Sequence, residues 1–336
     1  MKQEIINSIN ILAKENEPFL FVINYDGDDS YIRKLKDIDP NECLYDFEGI
    51  SNVVFNDCCK PPIFSAVRWD IDALAYESYE RSFEVIKSNM LAGNSYLANL
   101  TCRVSIDCNL TLDDIFAHSK GKYKLLLRGD MNRCRRFVCF SPESFLRISN
   151  SRIYSYPMKG TIDASLPNAA QELINDNKEA AEHATIVDLI RNDLSWVATD
   201  VRVDKYRYID TLHTNKGDIL QTSSEISGLL PEDYRLRLGE IIAAQLPAGS
   251  ITGAPKNKTV EIIREAEDYD RGFYTGVMGI YNDGELNSAV MIRFVEQDEK
   301  GMSFKAGGGI TAKSQCRKEY EEVLQKIYLP IENRHV

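Results

Sequence analysis

The sequence predicts a layered α+β fold. Between residues 123 and 156, short β-rich runs follow one another with tight turns, which favours antiparallel pairing. The helical patterns stand apart from these runs, so a regular βαβ repeat is disfavoured. The 336 residues are 43% hydrophobic and 27% charged, a globular composition with enough chain to bury a sizeable core.

Phe19–Tyr25 (FLFVINY) reads as a buried strand, and Cys43–Phe47 and Val53–Phe55 read as short ones. Lys60-Pro61-Pro62 disfavours helix and marks a boundary. Residues 1–62 are taken as an N-terminal segment with ancillary strands, and 63–336 as the main domain. Tyr76, Tyr79, Phe83, Ile86 and Met90 recur at helical spacing over 76–91, and Gly93-Asn94 ends that helix. Strands follow at 95–104, 123–128, 136–140, 145–148 and 152–156. Asp176–Leu194 reads as a helix with Asp176 as N-cap and Glu179 placed to close a capping box. Residues 234–246 and 257–266 read as helices, then 276–281, 287–295 and 302–306 as strands, and 314–328 as a closing helix.

The chain carries 51 acidic and 40 basic residues, a net charge of −11. Such a chain has no global field to attract nucleic acid or an anionic membrane, so an anionic substrate needs local cations. Lys14, Glu15 and Glu17 interrupt the apolar N-terminal stretches, which argues against a signal peptide. No apolar run approaches the ~20 residues of a membrane span. A cytoplasmic location is expected. The eight cysteines form no CxxC pair, which agrees with free thiols, and none of the four histidines is spaced with cysteines as a zinc site requires.

Five motifs stand out. Glu179 with Glu182, and Glu319 with Glu322, place paired acids on single helix faces. Facing each other, two such helices would form a carboxylate pocket for a hard cation such as Mg²⁺. Read alone, Glu179 is equally a helix cap and Glu322 an i+4 partner for Lys326. Gly307, Gly308 and Gly309 follow a strand and allow close backbone approach to an anion, or simply a tight connection to the next helix. Residues 248–256 (AGSITGAPK) precede a helix and resemble a phosphate loop superficially, but Pro255 breaks the Walker pattern. Lys159, in YPMKGT, is either a positioned nucleophile or an ordinary turn lysine. Asp188, Arg191, Asn192 and Asp193 close an apolar helix, a pattern typical of a buried structural ion pair.

Taken in order, the blocks AGNSYLANLT, SPESF, YPMKGT, EAAEHATIVDLIRNDL, LPAGSITGAPKNKTVEII, RGFYTGVMGIY, MIRF and AGGGITAKSQCRKEYEE resemble the chorismate-utilising enzymes. That family includes anthranilate synthase component I, aminodeoxychorismate synthase component I, isochorismate synthase and salicylate synthase. The resemblance implies two largely antiparallel sheets packed as a sandwich with helices outside and the active site in a cleft between the sheets. It implies Glu182 and Glu322 as Mg²⁺ ligands, supported by Glu179 and Glu319. It implies Arg293 as partner of a substrate carboxylate, and Thr161, Gly307, Gly308, Gly309, Thr252 and Lys256 as further substrate-binding positions.

Lysine at position 159 resembles the aminodeoxychorismate synthases (para-aminobenzoate synthase component I) most closely. The water-activating lysine of isochorismate and salicylate synthases is replaced by Leu97. Glu143, sixteen residues before Lys159, matches the family's general acid. The implied reaction is addition of a neutral Lys159 amine to chorismate, loss of a hydroxyl protonated by Glu143, and displacement of the lysine by ammonia. The product is 4-amino-4-deoxychorismate, a precursor of p-aminobenzoate and folate. Gln221, Ile280, Asn287 and Phe294 depart from the family's usual residues. The chain shows no glutamine amidotransferase elbow of GxCxG type, so a separate glutaminase subunit is expected to supply ammonia. It also lacks the LLES-type block of tryptophan-inhibited members. The alternatives are anthranilate synthase component I and a non-catalytic regulatory homologue.

Overall fold

A computed structural model describes residues 1–53, 67–72, 74–129, 135–214 and 217–329. The chain begins α1 (Gln3–Lys14), β1 (Phe19–Ile23), β2 (Ser30–Lys34), β3 (Cys43–Phe47), β4 (Ile50–Ser51), β5 (Trp69–Asp72), α2 (Tyr76–Leu91) and β6 (Leu97–Cys108). It continues α3 (Leu112–His118), β7 (Tyr123–Arg128), β8 (Arg136–Ser141), β9 (Ser144–Ser149), β10 (Arg152–Ser155), β11 (Met158–Asp163), α4 (Ala169–Asn175) and α5 (Asn177–Ser195). Then come β12 (Thr199–Thr214), β13 (Gly217–Leu229), α6 (Leu238–Gln245), β14 (Gly253–Ala254) and α7 (Lys256–Ala266). The chain closes with β15 (Val277–Asn282), β16 (Glu285–Val290), β17 (Phe294–Asp298), β18 (Gly301–Thr311) and α8 (Cys316–Gln325).

The strands form two antiparallel sheets. One runs β11-β13-β10-β9-β16-β15-β1-β2, with β12 paired to β13. The other runs β14-β6-β18-β17-β8-β7-β3-β4, with β5 paired to β6. The expected α+β sandwich with helices outside is the fold observed. Strand β1 shows how the layers are built. Phe19, Phe21 and Ile23 pack outward with Ile5, Ile9 and Ala13 of α1. Leu20 and Val22 face the other way, into a core between the sheets with Tyr45, Leu125, Phe137 and Met278. A strand buried on both faces needs a continuous apolar run, which is why FLFVI does not alternate. Each such side chain contributes roughly 1.5–3 kcal/mol by leaving water. On the far side, α2, α3, α7 and α8 cover the second sheet through Phe83, Ile115, Ile262 and Val323.

The first two thirds of the 1–62 segment are woven into both sheets: β1 lies between β15 and β2, and β3 pairs with β7. The proposed boundary at residues 60–62 lies outside the described residues, as do Phe55 and Cys58, Cys59 and Cys134.

Three readings of the sequence need correction. Residues 287–295 are not one strand: β16 belongs to the first sheet and β17 to the second, and the chain crosses between them at Met291–Arg293. Arg293 sits at φ 55°, a left-handed turn that ends one strand and redirects the chain into the other. The three glycines are not a loop after a strand but part of β18, where Gly307, Gly308 and Gly309 pair with Thr101, Leu100 and Asn99. The third concerns residues 199–229, which form a long hairpin, β12–β13, that no strand was assigned to.

Candidate active site

A cavity of about 710 Å³ opens where the sheets diverge. Its walls come from β11, the first turns of α5, the β16–β17 crossing, the glycine stretch of β18, and α8. Glu143, Lys159, Thr161, Glu179, Glu182, Arg293, Gly307, Gly308, Gly309, Glu319 and Glu322 all line it. These residues lie up to 179 positions apart in the chain, and the fold brings them to one place.

Lys159 is carried by a bulged strand, not by a turn. The pairing shifts between Lys159↔Thr222 and Thr161↔Gln221, leaving Gly160 as the extra residue. Gly160 adopts φ 68°, which favours glycine, and a β-carbon there would lie 3.1 Å from Glu179 Oε2. The Thr222 hydroxyl donates to the Lys159 carbonyl, which pins the bulge. The Lys159 amine stands 3.7 Å from Glu182 Oε2, with the lysine side chain 23% and the glutamate 12% exposed. Across the cavity, a β-carbon on Gly309 would lie 3.2 Å from Lys159 Nζ and 3.4 Å from Leu97 Cδ1. The absence of a side chain at 309 therefore gives the amine its room, and an apolar group flanks it.

Beyond Lys305, β18 leaves β17: their pairing stops at Phe294↔Lys305. Along that edge the Gly307 carbonyl accepts from Lys326 Nζ at 3.0 Å. Backbone parity turns the N–H groups of Gly307 and Gly309 toward the same edge, where an anion could accept from them.

Asp176 caps α5 as expected, its Oδ1 accepting from the Glu179 N–H at 3.0 Å. The carboxylates of Glu179 and Glu182 on α5 and of Glu319 and Glu322 on α8 line the same cavity. Glu322 pairs with Lys326 at 2.8 Å, so the simpler i+4 reading is also realised. Among the described residues, no three acidic or other ligating groups converge into a closed metal cage. Carboxylate oxygens on two facing helices are the donor type Mg²⁺ takes, since it binds through one or two carboxylates and completes its shell with water and substrate oxygens.

Glu143 lies in the turn between β8 and β9 and borders the cavity. Burial pushes its carboxyl above the ordinary range, opposed by a hydrogen bond from Ser250 and by the charges of Lys159, Arg293 and Lys326. His183, one residue after Glu182, is fully buried against Ser224, at 2.6 Å. Burial, with Arg207 and Lys159 nearby, lowers it to about 4. It is a neutral structural histidine at neutral pH.

Two expected substrate contacts are not on this wall. Thr252 is fully buried and Lys256 turns away from the cavity. Lys256 Nζ sits 2.7 Å from Asp193 Oδ2 and donates to the Gln245 carbonyl. A buried cation takes the nearest carboxylate, and Asp193 at the end of α5 supplies it. Of the residues in the DLIRND pattern, Asp193 thus enters a buried ion pair, with a lysine from outside the pattern, while Asp188 and Arg191 pair with each other at the surface. Of the four departures from family residues, Gln221 lines the cavity. Ile280 and Phe294 belong to the core between the sheets, and Asn287 bonds to Tyr123 and Glu48. The sequence reading passed over Ser250, Lys305 and Tyr274, which also line the cavity. For Ser250, a hydroxyl between two glycine-rich turns was the available signal.

A family model described as chorismate binding enzyme matches residues 19–332. The chain belongs to the chorismate binding enzyme family. It is 44% identical over 330 residues to an uncharacterised PabA-like protein of Haemophilus influenzae, covering 98% of this chain and 97% of that one. It is 32% identical over 265 residues to anthranilate synthase component 1 1 of Haloarcula marismortui, covering 74% of this chain but 52% of that one. The fold matches the menaquinone-specific isochorismate synthase MenF from Escherichia coli with a TM-score of 0.72 at 15% identity, over 96% of this chain and 80% of that one. A chorismate-utilising enzyme is thus the chemistry to derive. Among the described residues, no helix is long and apolar enough to cross a membrane.

Proposed function

We propose that the protein is an aminodeoxychorismate synthase component I. The observation that carries this reading is the Lys159 amine. It projects into the cavity opposite Gly309, with Glu143 on the same wall system and apolar Leu97 where a water-activating lysine would stand. Chorismate is a dianion, and Arg293 with the Gly307 and Gly309 amides supplies donors for its carboxylates. The amine of Lys159 adds at carbon 2 as Glu143 protonates the hydroxyl leaving carbon 4. Ammonia then adds at carbon 4, the electron pair shifts back through the ring, and the lysine is expelled. Chorismate and ammonia are consumed, and aminodeoxychorismate and water are released.

Magnesium held by Glu182 and Glu322, with Glu179 and Glu319 beside them, would neutralise the ring carboxylate. A separate glutaminase subunit would supply ammonia. The test is to incubate the protein with chorismate, Mg²⁺ and ammonium and to identify the product by mass. Intact-protein mass spectrometry should also find an adduct on Lys159 when ammonia is omitted. Lys159→Ala should lose that adduct while still binding chorismate. Wild-type turnover by Lys159→Ala would remove the basis of the assignment. The similarity to anthranilate synthase component 1 favours one competing reading, in which ammonia adds directly at carbon 2. Fluorescent anthranilate and pyruvate among the products would establish it.

A further inference from the structure

We infer that Ser250 is the positioning residue for Glu143, and that the Asp193–Lys256 ion pair is the clamp that holds Ser250 in place. The inference rests on the proposed role of Glu143 as general acid. The Ser250 hydroxyl donates to Glu143 Oε1. A carboxyl that accepts on Oε1 carries its own proton on Oε2, so the bond selects which oxygen can transfer a proton. The backbone of Glu143 is already fixed: its N–H donates to Ser141 Oγ and its carbonyl accepts from the Val290 N–H, both at 3.1 Å. The remaining freedom lies in the side chain, and Ser250 removes it.

Ser250 itself is held by what surrounds Gly249. A β-carbon on Gly249 would lie 2.9 Å from Leu189 Cδ2 and 3.3 Å from Asp193 Oδ2, so the turn is pressed against the end of α5. Asp193 then grips Lys256 at the start of α7, and the two side chains are 12% and 15% exposed. Lys256 Nζ also donates to the Gln245 carbonyl at 3.2 Å, and Gln245 Nε2 donates to the Asp193 carbonyl at 2.9 Å. Three helix ends are thereby tied in a ring around the Gly249-Ser250 turn. Glu179 and Glu182 of α5 and Glu319 and Glu322 of α8 line the same cavity as Glu143, and the cations that act on it are Lys159 from β11, Arg293 from the sheet crossing and Lys326 from α8. All three favour the ionised acid, and the Ser250 hydroxyl adds to them.

The test compares wild type, Ser250→Ala, Ser250→Thr and Lys256→Met in chorismate consumption across pH. Ser250→Ala should lower kcat by roughly 10- to 100-fold with KM unchanged, the scale of a misplaced catalytic group. Its alkaline limb should move to higher pH, because a hydrogen bond to the ionised acid is lost. Ser250→Thr should restore both. Lys256→Met should lower kcat alone, whereas a substrate-binding lysine would raise KM alone. Wild-type kcat and pH limb in Ser250→Ala would overturn the inference, as would a pure KM effect in Lys256→Met. If Lys256→Met does not fold, the serine pair decides the matter. A wild type that consumes chorismate without making aminodeoxychorismate refutes the proposed function but leaves the Ser250 comparison valid. A wild type that consumes no chorismate overturns both.

Discussion

Glu143 shows what a buried acid costs its host. Its carboxyl is raised in the folded protein, while in the unfolded chain it titrates near 4.5. Above that pH the unfolded chain releases a proton that the folded protein retains, so stability falls as pH rises toward the folded value. Glu143→Gln cannot ionise. Its Tm should therefore match wild type at about pH 4, exceed it as pH rises toward the folded value, and stay above it at pH 8. Turnover should fall by roughly 10²–10⁴, the range of a general acid. Equal melting curves at pH 8 would contradict the buried-acid account. Glu143, Lys159 and Thr161 were legible in the SPESF and YPMKGT blocks, and the glutamates, Arg293 and the glycines in the later blocks, because each block places its residues on the cavity wall. Lys256 was misassigned for a physical reason: a lysine beside a glycine-rich turn looks anion-seeking until its buried partner, Asp193, is seen 63 residues earlier.

At the scale of elements, the bulge in β11 is the most consequential. Gly160→Ala would force a β-carbon to within 3.0 Å of Leu173 Cδ1 and 3.1 Å of Glu179 Oε2 at φ 68°. The left-handed conformation alone costs about 1–2 kcal/mol. The variant should melt lower and lose kcat together, because Lys159 and the start of α5 shift as one; an unchanged kcat would show that the bulge does not set the amine. Periodicity located α2 to the residue, since its apolar positions Tyr79, Phe83, Ile86 and Met90 report one buried face. It failed where burial is two-sided or shared. The 287–295 run carries apolar residues on both sides of Arg293 because each sheet takes one part of it, and a single arginine does not by itself mark a crossing. The β12–β13 hairpin was missed although Val201 and Val203 alternate with Arg202 and Asp204. That period-2 signal was available, and Val201, Val203 and Ile226 do face the outer core.

Over the whole molecule, negative charge and catalysis are in tension. Five acids line a cavity meant for a dianion, faced by Lys159, Arg293 and Lys326, while Lys305 is already paired with buried Glu296 at 3.0 Å. A divalent cation would tip that balance toward the substrate. Glu322→Gln should leave the fold intact, weaken the thermal shift produced by Mg²⁺ with chorismate, and abolish turnover; full activity in EDTA would rule out the metal. The protein alone should use ammonium but not glutamine, and product formed from glutamine without a second subunit would refute the expected partner. The pairing of Phe19 with Tyr281, and of Leu97 with Thr311, has a further consequence at the ribosome. At ~5–20 residues per second, FLFVI is synthesised roughly 13–50 s before the strand that shelters it. During that interval α1 and β2 are already beside FLFVI, but its other edge stays open, a natural target for a holdase. Neither sheet can finish until β15 to β18, residues 277–311, have been made.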